Sequence, residues 1–356
     1  MTFEAAWAPQ ISFERRPRMH RMKQRGCKIF PITVFLAVAA ILLITAGCKG
    51  KPVSTATPTY RIGLGPWVGF GPLYLAQEKA FFGEAGIKVE LIVLTGLAER
   101  NSALKSGRID ALAAPVDYFV LSAGNNLETS IVMAIDESNG GDGIVASKRI
   151  EKIEDLRGKT VAVQRGLPSE FFLRALLMQK NVPYSSVKTV DMETAQGGAA
   201  FISKQVDAAV VWEPWLTKAT LEGNGHVLAS TREYPDLIVD VLAFNKTVVG
   251  RSPQDVQKIV NVLLKAMDYW KEHPEEADRI MAPHFQVDPG KYAAILTGLK
   301  FCDLARNRTY FGTTAAPGPV FDVARRASTI WQEAKVIDKP VKAETIIDTE
   351  FVMAGK

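Results

Sequence analysis

The sequence predicts an α/β protein of two lobes joined by a two-strand hinge, with a helical C-terminal segment. Three observations carry that prediction. Short apolar runs alternate with helix-period segments from Tyr60 onward, and the alternation restarts near Lys159; strands interleaved with helices call for right-handed crossovers and parallel sheets. Two further apolar runs, 142–147 and 239–245, are flanked by turn residues and link the halves. If both connect the same pair of lobes, the chain crosses twice and the lobes can close on something between them; two sequential domains with a fixed interface are the alternative.

The elements follow in order. Residues 61–64, 88–93, 110–114 and 130–135 read as strands, and 72–85, 98–106 and 116–123 as the helices between them. The second unit repeats the scheme with strands at 159–164, 187–190 and 208–212 and helices at 169–179 and 194–204. After the strand at 239–244, helices dominate at 253–273, 274–282, 289–299 and 318–333. The first three open on Pro253, Pro274 and Pro289, at the first helical position, where a missing N–H costs nothing. The expected organisation is a leader at 1–47, a tether at 48–59, a first lobe built from 60–144 and 240–352, and a second lobe at 145–239.

Charge sharpens the leader. The 356 residues hold 43 Lys and Arg against 38 Asp and Glu. The excess lies before Cys48, where Arg15, Arg16, Arg18, Arg21, Lys23, Arg25 and Lys28 face only Glu4 and Glu14. From Cys48 the chain is neutral, which argues against a nucleic-acid binder with a basic face. Residues 29–47 (IFPITVFLAVAAILLITAG) carry no charge and end in small residues, the pattern of a secretory signal. Cys48 directly after Ala46-Gly47 resembles the bacterial lipoprotein signal, in which that Cys is lipidated, although Thr45 stands where Leu is usual. An uncleaved membrane anchor is the alternative, and Met1, Met19 and Met22 are all candidate starts. Either route places the folded part outside the cytoplasm; with Cys48 lipidated it is a cell-membrane lipoprotein facing the periplasm or the cell exterior. Residues 49–59 (KGKPVSTATPT) have the composition of a linker.

Several segments then coincide. Residues 62–75 read IGLGPWVGFGPLYL, 82–91 read FGEAGIKVEL, 103–111 read ALKSGRIDA, 154–163 read EDLRGKTVAV and 206–210 read VDAAV. In this order and spacing the chain resembles the nitrate, taurine and aliphatic-sulfonate group of ABC-transporter solute-binding proteins, which includes binders of thiamine-pyrimidine precursors. The resemblance runs from about Tyr60 to Val352. It implies a type II periplasmic-binding-protein fold, a small ligand held between the lobes by a monomer, and delivery to a membrane permease and its ATPase.

Ligands in open α/β sheets sit beyond the carboxyl ends of the strands, and that rule nominates residues by itself. After the first strand, Gly65 and Gly69 let backbone approach a ligand and Trp67 is placed to stack on it. Thr95-Gly96 opens a helix whose free N–H groups suit an anion. Asp117 follows the third strand, as a ligand contact or a helix cap. Asp136, Ser138, Asn139 and Asp142 stand between two apolar runs and form the strongest candidate loop. In the second lobe, residues 164–169 lead into a helix capped by Ser169, a candidate anion site beside Arg165. Glu213 and Trp215 are expected to face the cleft and Trp212 the core. Asp240 is a charge within an apolar crossing strand and needs a partner or a ligand. Five carboxylates against Arg165 favour an amine-bearing or aminopyrimidine-like ligand over nitrate or a sulfonate.

An enzyme is not expected. His226, His273 and His284 form no metal or catalytic spacing, Cys302 reads as buried, and no nucleophile elbow, phosphate loop or zinc cluster is present, so neither cofactor nor metal is called for. A secreted pyrimidine-precursor enzyme and a ligand sensor working through a separate membrane partner are the remaining alternatives.

Overall fold

The computed structural model describes residues 57–356, so the leader, Cys48 and most of the tether lie outside the described residues. Two mixed sheets organise the chain. In chain order the strands are β1 (Thr59–Leu64), β2 (Lys88–Val93), β3 (Ala111–Pro115), β4 (Thr129–Ser138), β5 (Asp142–Ser147), β6 (Thr160–Val163), β7 (Lys188–Asp191), β8 (Ala208–Trp212), β9 (Gly225–Ser230), β10 (Val239–Asn245) and β11 (Leu299–Phe301); the first sheet has the order β11-β4-β10-β3-β1-β2 and the second β7-β6-β8-β5-β9. In the first, β1 runs parallel to β2 and β3, while β10 lies antiparallel between β3 and β4. In the second, β6 is parallel to β7 and β8, and β5 is antiparallel to β8 and β9.

The purely parallel sheets expected from the alternation are therefore corrected. The strand that enters each sheet from the other lobe arrives reversed. β4 feeds β5 across 139–141 and β9 feeds β10 across 231–238, so each lobe donates the other its antiparallel strand. The first crossing falls before β5, which belongs wholly to the second sheet, so the switch comes a few residues earlier than at 144. β11 (Leu299–Phe301) adds an edge strand on β4 where the sequence suggested the end of a helix.

The helices of the first lobe are α1 (Gly71–Glu78), α2 (Phe81–Glu84), α3 (Leu97–Lys105) and α4 (Val116–Gly124). The single helix expected over 72–85 is broken at Ala80, which takes left-handed backbone at φ 56°. The second lobe carries α5 (Pro168–Gln179), α6 (Thr194–Ile202) and α7 (Trp215–Glu222). The C-terminal segment supplies α8 (Lys246–Arg251), α9 (Pro253–Glu272), α10 (Pro274–Met281), α11 (Pro289–Leu296), α12 (Leu304–Phe311), α13 (Pro319–Glu333) and α14 (Glu350–Met353). α9 buries Val256, Ile259, Val260, Leu263, Leu264 and Met267, one stripe of a 3.6-residue period. α11 and α12 start under side-chain caps, Asp288 accepting from Gly290 N at 3.0 Å and Asp303 from Arg306 N at 2.8 Å.

The main core gathers the faces of both sheets with α4, α5, α9 and α13, and a smaller cluster of Val145, Ala162, Phe201, Val211 and Leu216 lies on the far face of the second sheet. α13 belongs to the first lobe yet touches both. The Trp331 indole donates to Asp117 O at 3.0 Å, and its ring centroid lies 5.7 Å from that of Phe171 on α5.

Candidate functional site

The carboxyl ends of the first sheet assemble a row of acids. Asp240 at the head of β10 stands in register with Asp136 on β4 and with Pro115 at the end of β3, and Asp117 lies two residues beyond. From the second lobe, Asp142 opens β5 opposite Trp212 on β8. A cavity between the lobes is lined by Trp67, Phe70, Arg100, Asp142, Trp212 and Asp240, among others. Its volume is about 30 Å³, room for one or two waters, so a solute of several heavy atoms needs the lobes to part before it enters.

Local sequence explains how these groups come together. β1 ends at Leu64, and Gly65 brings the turn so close to α3 that a Cβ there would strike the Arg100 guanidinium. The turn then presents Trp67, whose indole N–H reaches both oxygens of Asp136 at 3.2 and 3.3 Å. Gly69 serves the same contact, because a side chain on it would collide with Asp136 and the Trp67 indole.

The acids are dry. Burial is the first cause of each upward displacement: Asp117 is pushed to about 8 and Asp142 to about 7, and Asp136 and Asp240 stand well above the usual carboxylate range. Mutual repulsion adds to it, Asp142 acting on Asp117, and Asp136, Asp142 and Asp117 acting on Asp240. Both carboxylate oxygens of Asp117 and one of Asp142 are buried without a hydrogen-bond partner.

Other nominated residues stand elsewhere. Ser138 Oγ pairs with Thr231 Oγ1 at 2.8 Å and accepts from Asp142 N at 3.1 Å, tying the crossings together. Asn139 is half-buried, its backbone N–H donating to Gly298 O at 2.8 Å. Thr95 lies at the mouth, its hydroxyl on Glu193 of the other lobe at 3.0 Å and its carbonyl accepting from the Gln164 side chain at 3.1 Å. Ser169 closes its own loop by accepting from Gln164 N at 2.9 Å. The anion site expected there is already filled, because buried Glu170 accepts from Gly166 N at 2.7 Å while holding Arg174. Arg165 is exposed. Glu213 accepts from the Thr217 hydroxyl at 2.7 Å and its N–H at 3.1 Å, the role of a helix cap at the start of α7.

Trp212 is buried in the main core as expected, but it is also the tryptophan of the pair that meets the cavity. Trp215 instead packs on Gly198 with Lys218 Nζ 4.6 Å from its ring centroid. The alternation of β8 held the signal: Ala208, Val210 and Trp212 share the face of the main core, and Ala209 and Val211 the other.

Arg100 is the residue the strand-end rule missed. It sits one turn inside α3, past the Thr95-Gly96 opening, and is 4% exposed. Its Nε donates to Leu94 O at 3.0 Å and its guanidinium lies 6.0 Å from the Tyr118 ring centroid. No ion pair to it forms among the described residues, nor is there a cluster of His, Cys, Asp and Glu fit to hold a metal.

Two α/β lobes on a two-strand hinge, with a cavity between them at the strand ends, define the fold of the type II periplasmic binding proteins. Solved structures of that class align closely. The periplasmic aliphatic sulphonate binding protein SsuA from Escherichia coli superposes with a TM-score of 0.69 at 17% identity, over 84% of this chain and 100% of that one. The desulfurization enzyme DSZB shares the fold at a TM-score of 0.60 and 16% identity, over 83% and 98%. The chain belongs to the NMT1/THI5-like family, whose model matches residues 67–277. Among relatives, a putative binding protein of Brucella abortus is 25% identical over 60% of this chain and 67% of its own. A putative aliphatic sulfonates-binding protein of Bacillus subtilis is 21% identical over 89% and 95%, and the taurine-binding periplasmic protein of E. coli 23% over 59% and 68%.

Proposed function

We propose that this chain is the extracytoplasmic solute-binding component of an ABC importer, anchored by lipid on Cys48, closing two lobes on one small organic solute and delivering it to a permease and ATPase. The family and its binding-protein relatives support the solute-binding role. The observation that carries the reading is the cavity between the lobes, where aromatic rings from both lobes meet Asp142 with a free buried oxygen.

The ligand offers hydrogen-bond donors. Among the described residues, the N-terminus of α5 is occupied by Glu170, and the cavity lining holds two carboxyl groups, Asp142 with one unpartnered oxygen and Asp240, against the one guanidinium of Arg100. An amine-bearing heterocycle such as an aminopyrimidine therefore fits better than nitrate or a simple alkanesulfonate, the compound class for which the Bacillus relative is named. Catalysis is not part of this reading. DSZB shows that the fold admits an enzyme, but His226, His273 and His284 line no part of this cavity, and burial pushes the Cys302 thiol up to about 12.

Calorimetry of the purified chain against aminopyrimidines, taurine and nitrate tests the ligand class; tight nitrate binding with no response to aminopyrimidines refutes it. Membrane fractionation of Cys48→Ala tests the anchor, the variant appearing free of the membrane and lacking a lipid adduct by mass spectrometry. No helix of the described residues is long and apolar enough to cross a membrane.

A further inference from the structure

We propose that the two lobes close by taking up protons, so that acidity favours the closed form and a rise in pH opens the cleft. The inference concerns the closing motion itself and holds whichever solute fills the cavity.

Closure assembles the acid row from two sources. Asp136 and Asp240 stand in register on β4 and β10, and Asp117 lies at the start of α4, all in the first lobe; Asp142 joins them from the head of β5 in the second. The cover over Asp117 is borrowed from the second lobe as well. There α5 packs on α4, and Pro168 at its start lines the cavity. The turn before it comes so near α3 and α4 that a Cβ on Gly166 would strike Leu97 and lie 3.6 Å from Leu121.

Within this closed arrangement the acids lack donors. Both carboxylate oxygens of Asp117 and one of Asp142 are buried without a partner, and Asp136 has the Trp67 indole. Arg100 is the one cation lining the cavity. A buried carboxylate without donors is costly, and a proton removes its charge. Burial accordingly pushes Asp117 up to about 8 and Asp142 to about 7. When the lobes part, Asp142 leaves with the second lobe and water reaches Asp117, so both return toward the ordinary value near ~3.9. Each acid then keeps a proton in the closed form over a range where the open form has lost it. The closing equilibrium is greatest and flat below about pH 4, falls about tenfold per unit for each proton taken up as pH rises, and flattens again above about pH 8.

The surrounding titratable groups do not replace these acids. Glu137 on β4 is bound by Lys300 and Arg306, Glu170 on α5 by Arg174, and Glu233 beyond β9 by Ser230. Glu213, next to Trp212, is raised by burial and responds with the same sign. Tyr118, Tyr292 and Cys302 are pushed up by burial, away from neutrality. Glu99 on α3 and the charged residues of α13 are exposed.

The test uses the ligand-free full chain in mild detergent. Cys27→Ser and Cys48→Ser leave Cys302, which is buried, and a fluorophore and a contact quencher are attached at Ala98→Cys on α3 and Gln196→Cys on α6, two exposed positions flanking the contact between Thr95 and Glu193. Quenching should be strong near about pH 5 and fade toward about pH 8.5, the closing equilibrium dropping at least about tenfold per unit at the midpoint. Asp117→Asn and Asp142→Asn should each flatten that slope, and the double variant should stay closed throughout. Quenching that is flat with pH, that grows as pH rises, or that follows the wild-type course in the double variant overturns the proposal. If the double variant loses native far-UV circular dichroism, the single variants decide, and an unchanged slope in both overturns it. Each of these outcomes leaves the solute-binding reading standing, since calorimetry tests that by itself.

Discussion

Asp117 stands at the first turn of α4 with both carboxylate oxygens buried and unpartnered, and burial, reinforced by Asp142, pushes it up to about 8. In the unfolded chain the same side chain titrates near ~3.9. Between those values the folded protein keeps a proton that the unfolded chain has released. The Asp117 contribution to stability is therefore fullest below about pH 4 and falls as pH rises, by about 1.4 kcal/mol per unit, until Asp117 ionises in the fold near pH 8. From pH 5 to pH 7 its share of the loss is about 2.7 kcal/mol. Asp117→Asn keeps the shape and removes the titration. Asp142, Asp240 and Arg100 face the same region, so a residual slope remains in the variant, smaller by one proton. Urea unfolding of the ligand-free chain, followed by tryptophan fluorescence at pH 5, 6 and 7, reads the difference. The variant should gain on the wild type by about 2.7 kcal/mol across that interval. Parallel lines would show that Asp117 is already ionised in the fold, compensated by Arg100, and would refute the reasoning.

Trp67→Phe removes the indole donor from buried Asp136; thermal unfolding should register a loss of about 1–2 kcal/mol. Gly69→Ala drives a methyl into Asp136 and the Trp67 indole, and overpacking of about 1–3 kcal/mol should appear as a lower Tm together with weaker ligand binding. Glu213→Ala should cost about 1 kcal/mol through the lost cap of α7, while calorimetric affinity changes less than about twofold, since the carboxylate is engaged with Thr217. Glu193→Ala cuts the exposed contact to Thr95 across the mouth. A loss below about 1 kcal/mol corresponds to ligand dissociation no more than about fivefold faster by stopped-flow fluorescence.

β3, β4 and β10 were legible because they are short apolar runs buried on both faces, and α9 because its apolar stripe has a clean period. Strand direction was not legible: β5 and β10 are as apolar as their neighbours, and only the crossing between lobes reverses them. β9 alternates poorly, with Val227 at 42% exposure, and gives no strand signal of its own. At the site, the acids were legible as charges stranded in apolar surroundings. Arg100 was hidden, because a basic residue in a helix ordinarily marks a solvated face, and its burial is created by Gly65, thirty-five residues earlier in the chain. Ser138, Ser169 and Glu213 share the difficulty of all polar residues near turns: their sequence neighbours do not say whether a side chain will serve the backbone or a ligand.

The bonds that fasten the crossings to each other carry a mechanical consequence. Ser138 and Gly140 of one crossing both meet the Thr231 hydroxyl of the other at 2.8 Å, and Ser138 N donates to Ile238 O at 3.0 Å. Two separate strands would let the lobes slide, twist and bend independently. Laced side by side, they behave as one ribbon that resists shear and yields mainly about a single axis. The distance between any two points on opposite lobes is then set by one angle alone.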